Sequence, residues 1–133
     1  MDREPLAALV LAAHLAVIAF NLFGLAAIPL GAARGWAFVR VRWWRGLHLA
    51  SMAMVAVQAL AGRACFLTVW QDDLSGASGR APLIMRVVNG LIYWPLPIWA
   101  FTVAYAAVFV YVLALWKLVP PGGSNRRPSS GRR

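Results

Sequence analysis

Acidic residues are the scarcest feature of this 133-residue chain: four Asp and Glu stand against thirteen Lys and Arg, for a formal net charge of +9. No acid lies between Glu4 and Asp72, and the adjacent Asp72 and Asp73 cannot both point from a helix into one site as an acid and base pair. One cysteine, Cys65, excludes an intrachain disulfide and a Cys-rich metal site, and tells nothing of the redox compartment. Gly-rich phosphate loops, a Ser-His-Asp order, metal-ligand spacings and a haem-attachment motif are all missing. The chain therefore offers no catalytic residue, no metal site and no cofactor site, and it reads against an enzyme. Lysine is nearly absent, with twelve Arg to one Lys. These cations are spread over loops and tail without a basic helix or reader motif, which excludes a nucleic-acid partner.

Charge of any kind is in short supply. Charged residues make up 13% and hydrophobic ones 62%, where soluble domains have about 25% and roughly 45–50%. That composition describes an all-α integral membrane protein whose first partner is the lipid bilayer. Leu6 to Ile28 is long enough to cross about 30 Å of hydrocarbon. It is too long for a signal-peptide core, and its Asp2-Arg3-Glu4 leader is not basic, so it reads as a retained span. Pro29 and Gly31 are expected to close it. A second span is expected over 47–69 and a third over 96–118. Between them, 81–94 is too short to cross and stops at Pro95, which predicts an interfacial or re-entrant helix. Residues 1–119 thus form one membrane domain. Pro120 to Arg133 contains little that can bury apolar area and should be a disordered basic tail.

Orientation follows from counting cations. With the N-terminus outside, nine Lys and Arg fall inside and four outside, which favours N-out and C-in, with the tail cytoplasmic. The stretch from Gly31 to Gly46 interleaves Arg34, Arg40, Arg42 and Arg45 with Trp36, Phe38, Trp43 and Trp44. This is ordinary interfacial anchoring, or alternatively a site for anionic lipid.

The polar residues of the second span up to Gly62, with Cys65, fall on one line: from His48, steps of three and four reach Ser51, Val55, Gln58, Gly62, Cys65 and Val69, while Arg63 lies off it. In lipid, a helix that segregates its polar groups turns them toward protein or water. Rise arithmetic places Gln58 near the midplane. His14, Tyr105, Thr102 and Cys65 follow within about 10 Å on the outer side, as one candidate cluster. Asn21, Ser51 and Tyr111 fall about 6–10 Å on the inner side. The plain interpretation is packing by interhelical hydrogen bonds; the sharper one is a pocket for a proton, quinone or small solute with His14 as titrating group. The same arithmetic sets His14 and His48 about 20 Å apart in depth, too far to share a haem iron. His48 is expected at the interface in contact with headgroups or loop carbonyls. Cys65 is expected to be a buried small residue and not a reactive thiol.

Arg45-Gly46-Leu47-His48-Leu49, Gln58-Ala59-Leu60, Gly62-Arg63-Ala64-Cys65-Phe66-Leu67-Thr68 and Trp70-Gln71, preceded by a histidine in the first span, resemble the small bacterial membrane proteins catalogued as domain of unknown function 2784. Leu91-Ile92-Tyr93-Trp94-Pro95 and Trp99-Ala100-Phe101-Thr102 share the resemblance, which runs from about Leu6 to Leu118. Its matched positions are Arg45, His48, Gly62, Cys65, Thr68 and Trp70, together with His14. Two positions depart from the pattern: Phe66 stands where many members have proline, and Gln71 where they have an acid. The resemblance implies a bacterial inner-membrane location and no activity.

The role expected first is a non-enzymatic accessory or scaffold subunit that packs against a larger membrane protein or another copy of itself. The alternative is a binding or transport module holding a quinone, lipid or proton around His14. A cavity of a few hundred Å³ there would favour the alternative, and tight interdigitation the first.

Overall fold

The computed structural model describes residues 3–76, 83–92 and 96–122, and among them all regular structure is helical. Five α-helices follow in chain order: α1 Arg3–Arg34, α2 Arg42–Leu60, α3 Phe66–Leu74, α4 Leu83–Ile92 and α5 Ile98–Leu118, with a 3₁₀ turn at Ala37–Arg40 between the first two.

Helix α1 does not close at Pro29 or Gly31. It runs through both to Arg34, because the unbonded carbonyl that an interior proline creates is tolerated where packing neighbours surround it. Its end comes at Gly35, where Trp36 N–H reaches back to Gly31 O at 2.8 Å. At 1.5 Å per residue this helix is about 48 Å long and α5 about 32 Å. Both are long and apolar enough to cross a membrane.

The stretch 47–69, expected as a single helix, is two. Helix α2 stops at Leu60 and α3 starts at Phe66. The reason is Gly62, whose φ of +67° is open to glycine and unfavourable for other residues. Gly62 N–H bonds Ala59 O at 3.0 Å and Arg63 N–H bonds Gln58 O at 2.9 Å. This paired closure satisfies the last carbonyls of α2 and turns the chain aside. The polar line therefore survives on α2 from His48 to Gln58, while Cys65 and Val69 lie beyond the break. Helix α4 covers ten of the fourteen residues expected at 81–94; 81–82 and 93–94 lie outside the described residues, as does 123–133 of the expected tail.

Contacts fix the directions. The Thr102 hydroxyl donates to Ala59 O, and the Arg45 guanidinium to Leu115 O, so α2 and α5 run antiparallel. His48 meets Asn21, and Thr68 meets His14, so α2 and then α3 travel back along α1. Helices α1 and α5 thus run the same way on either side of a broken partner. They touch each other little, chiefly at one end, where Ile28, Leu115 and Val119 form a buried core closed by Ala32 and Trp44. Helix α4 forms no extended interface with the others among the described residues.

Most apolar side chains of α1 and α5 stay outside, among them Leu9, Leu15, Leu22, Val103 and Val110. A water-soluble fold hides such a surface; a bilayer accepts it.

Candidate functional site

The break between α2 and α3 creates the site. Helix α3 begins with Cys65 O accepting from Thr68 N–H at 2.9 Å and Val69 N–H at 3.1 Å. Its first amide, on Phe66, is capped by Gln58 Oε1 at 2.7 Å, while Gln58 Nε2 donates to Met54 O at 3.2 Å. Gln58 thereby spans the break. The Thr102 hydroxyl lies 3.3 Å from Ala59 O and 3.4 Å from its own helix carbonyl at Ile98, tying α5 to the end of α2.

Where α2 breaks, the middle of α1 and the first half of α5 face each other across a gap. The space between them is a cavity of about 260 Å³. Its α1 wall carries His14, Ile18, Asn21 and Leu25; Met52, Val55 and Gln58 come from α2; Cys65 and Thr68 come from the break and α3; Phe101, Thr102 and Tyr105 come from α5. Leu22 and Ile98 also line it, and each is more than half exposed on the outer surface, 61% and 55%. Gly62 and Arg63, at the break, are exposed members of the lining too, so the cavity is not sealed from the surface.

All five residues of the sequence-predicted cluster, His14, Gln58, Cys65, Thr102 and Tyr105, line this one cavity. Two of them, Gln58 and Thr102, already spend hydrogen bonds on backbone groups. His14 is buried, and its Nδ1 lies 3.5 Å from the buried Thr68 hydroxyl, a separation at the outer limit of a hydrogen bond. Asn21 was grouped by depth with Ser51 and Tyr111, and the structure corrects this. Asn21 lines the cavity, Ser51 is half-buried elsewhere, and Tyr111 is exposed. Asn21 is 8% exposed and its Oδ1 is buried with no hydrogen-bond partner. The seven-residue spacing of His14 and Asn21, two turns on one helix face, was the sequence signal for it.

A second polar centre sits near the closed end. Arg45 and His48 are 2% and 1% exposed, so His48 is not the headgroup contact that its place near the span's end suggested. His48 Nε2 donates to Asn21 O at 3.1 Å, and its ring stacks on Trp44 with Phe20 edge-on. Helix α1 approaches this closely only because residue 24 is glycine: a Cβ there would collide with the His48 ring. Arg45 donates to Val39 O at 3.3 Å and Leu115 O at 3.0 Å, with its guanidinium 5.5 Å from the Trp116 ring centre. Arg45 thereby clasps α2, the 3₁₀ turn and α5 together.

The two histidines stay apart. His48 meets α1 at residues 21 to 24, seven to ten positions from His14, or about 10–15 Å along the axis. This is less than the depth arithmetic gave, and the rings still do not converge on a common point. Trp70 lies on α3, half exposed and outside the cavity lining. No group of three His, Cys, Asp or Glu suited to a metal ion occurs among the described residues.

The family model DUF2784, Protein of Unknown function, covers residues 4–121. No curated protein and no solved structure matches the chain.

Proposed function

The chain belongs to the DUF2784 family, and we propose that it is an inner-membrane protein whose lateral cavity binds a small molecule dissolved in the bilayer. In this reading α1, the broken α2–α3 pair and α5 make three crossings. The N-terminus lies outside and the tail in the cytoplasm, as the arginine distribution favours, and α4 lies at the interface or dips into it. The observation that carries the proposal is the cavity itself: His14, Gln58, Cys65, Thr102 and Tyr105 converge on one space whose lining includes the exposed Leu22 and Ile98. Interrupted helices that line a cavity are a recurring way to place polar groups at membrane depth.

The accessory-subunit reading keeps one supporting observation. Gln58 and Thr102 are engaged in holding the helices together, as packing residues would be. Native mass spectrometry of the protein in mild detergent separates the two. The cavity reading predicts a reproducible small-molecule adduct on the wild type that is lost in Val55→Phe, which fills the cavity from α2. A defined oligomer or partner complex, with no adduct on either protein, overturns it in favour of the accessory subunit.

A further inference from the structure

We infer that the cavity takes the head ring of an isoprenoid quinone or quinol, with one ring oxygen at His14 and the opposite oxygen at Asn21. This rests on the ligand-binding reading above and narrows it to a class.

The mouth sets the first limit. Leu22 is an exposed apolar part of the lining; a ligand that enters past it comes from the acyl region of the bilayer, and whatever it leaves outside on that side must be apolar. Volume sets the second. At about 260 Å³ the space is just below the range of roughly 300–1,000 Å³ typical of small-molecule sites. That suits one substituted ring, with its tail trailing out through the mouth, and is too small for a whole lipid. Charge sets the third. The only formal charge on the wall is Arg63, which sits at the break and is itself exposed. A phosphate or carboxylate head placed deep among neutral side chains would lose its hydration without a counterion.

What remains is a neutral molecule with hydrogen-bonding groups, and the wall has two places that want one. Asn21 Oδ1 is buried and unpartnered, a state that costs free energy unless a ligand relieves it. The amide can present either its oxygen or its nitrogen by turning about its terminal torsion, so it can accept from a quinol hydroxyl or donate to a quinone carbonyl. His14 holds one ring nitrogen near Thr68 at 3.5 Å and has the other for a ligand. The two residues are seven apart on α1, a rise of about 10.5 Å. A ring with para oxygens measures about 5.3 Å from oxygen to oxygen, given carbonyl bonds of about 1.2 Å. With a hydrogen bond of about 2.8 Å at each end it spans about 11 Å. An alcohol or a fatty acid carries one polar end and satisfies only one of the two.

The test uses soluble short-chain probes with the full-length protein in detergent: decylubiquinone, its quinol, decanol and decanoate, with occupancy read by native mass spectrometry across a concentration series. The quinone or quinol should bind at least tenfold tighter than decanol or decanoate. Asn21→Leu and His14→Phe should each weaken it by about tenfold, the scale of one hydrogen bond, and change decanol by less than threefold. If the quinone pair binds no tighter than decanol, or neither substitution matters, the ring assignment is wrong while the cavity reading stands. If no probe binds and Val55→Phe changes nothing, both are wrong. Thermal melts report folding of the variants; should Asn21→Leu not fold, the His14→Phe value and the wild-type ranking of the four probes decide.

Discussion

Adding a single methyl group at Gly24 tests how α1 and α2 are joined. The Cβ of Gly24→Ala would occupy the space now held by the His48 ring, and the ring has little freedom to yield. It is stacked on Trp44 at 6.1 Å between centroids, edge-on to Phe20, and bonded to Asn21 O. Overpacking of this kind costs about 1–3 kcal/mol. Displacing the ring forfeits about 1 kcal/mol more for the hydrogen bond, and the better helix propensity of alanine returns up to about 1 kcal/mol. The net expectation is a loss of about 1–3 kcal/mol in unfolding of the detergent-purified protein, followed by tryptophan fluorescence. Gly46→Ala is the control, because nothing lies within 4 Å of a Cβ built there; it should be neutral or slightly stabilising. In a His48→Ala background Gly24→Ala should lose most of its cost, since the collision is gone. If Gly24→Ala and Gly46→Ala agree within about 0.5 kcal/mol, the close packing of α1 on His48 is not what holds these helices.

Three further substitutions probe the other joints. Gly62→Ala meets no neighbour within 4 Å, so its expected cost of about 1–2 kcal/mol comes from the left-handed backbone alone; an unchanged melting curve would mean that α2 does not need this turn. Arg45→Met removes two bonds to carbonyls and a contact with Trp116 and should cost about 2–4 kcal/mol, with less than 1 kcal/mol counting against the clasp. Gln58→Leu frees the Phe66 amide and should speed amide hydrogen exchange at the start of α3 while leaving α1 unaffected; unaltered exchange there would show that the side chain is not the cap.

The sequence carried much of this architecture because lipid-facing helices declare themselves by length and apolar content. The segregation of polar residues onto one line of the second apolar run was equally plain. The break was legible only in retrospect. Gly62 was counted as a small residue on the polar line, when its positive φ makes it the terminus of α2, and a helical wheel that runs through a turn keeps assigning faces that no longer exist. Pro29 misled in the opposite sense: a strong stop signal in water is weak inside a long apolar helix. Depth arithmetic gathered His14, Gln58, Cys65, Thr102 and Tyr105 into one region, and all five line the cavity. It separated Asn21 from them because depth alone ignores the length of a cavity that follows α1 for about three turns, from His14 to Leu25. The position of His48 near an expected span end pointed to the interface, and it is buried because α1 packs against its ring at Gly24.

Two methionines two residues apart test whether the cavity has an occupant distinct from the surrounding lipid. Met52 is 4% exposed and lines the cavity, whereas Met54 is 55% exposed and points outward. Replacing both with the diazirine analogue of methionine and irradiating native membranes labels each environment separately. An occupied cavity gives one defined small-molecule mass on the peptide fragment carrying position 52 and the mixed phospholipid population on position 54. The same phospholipid mixture at both positions, or only intramolecular crosslinks at position 52, would contradict it.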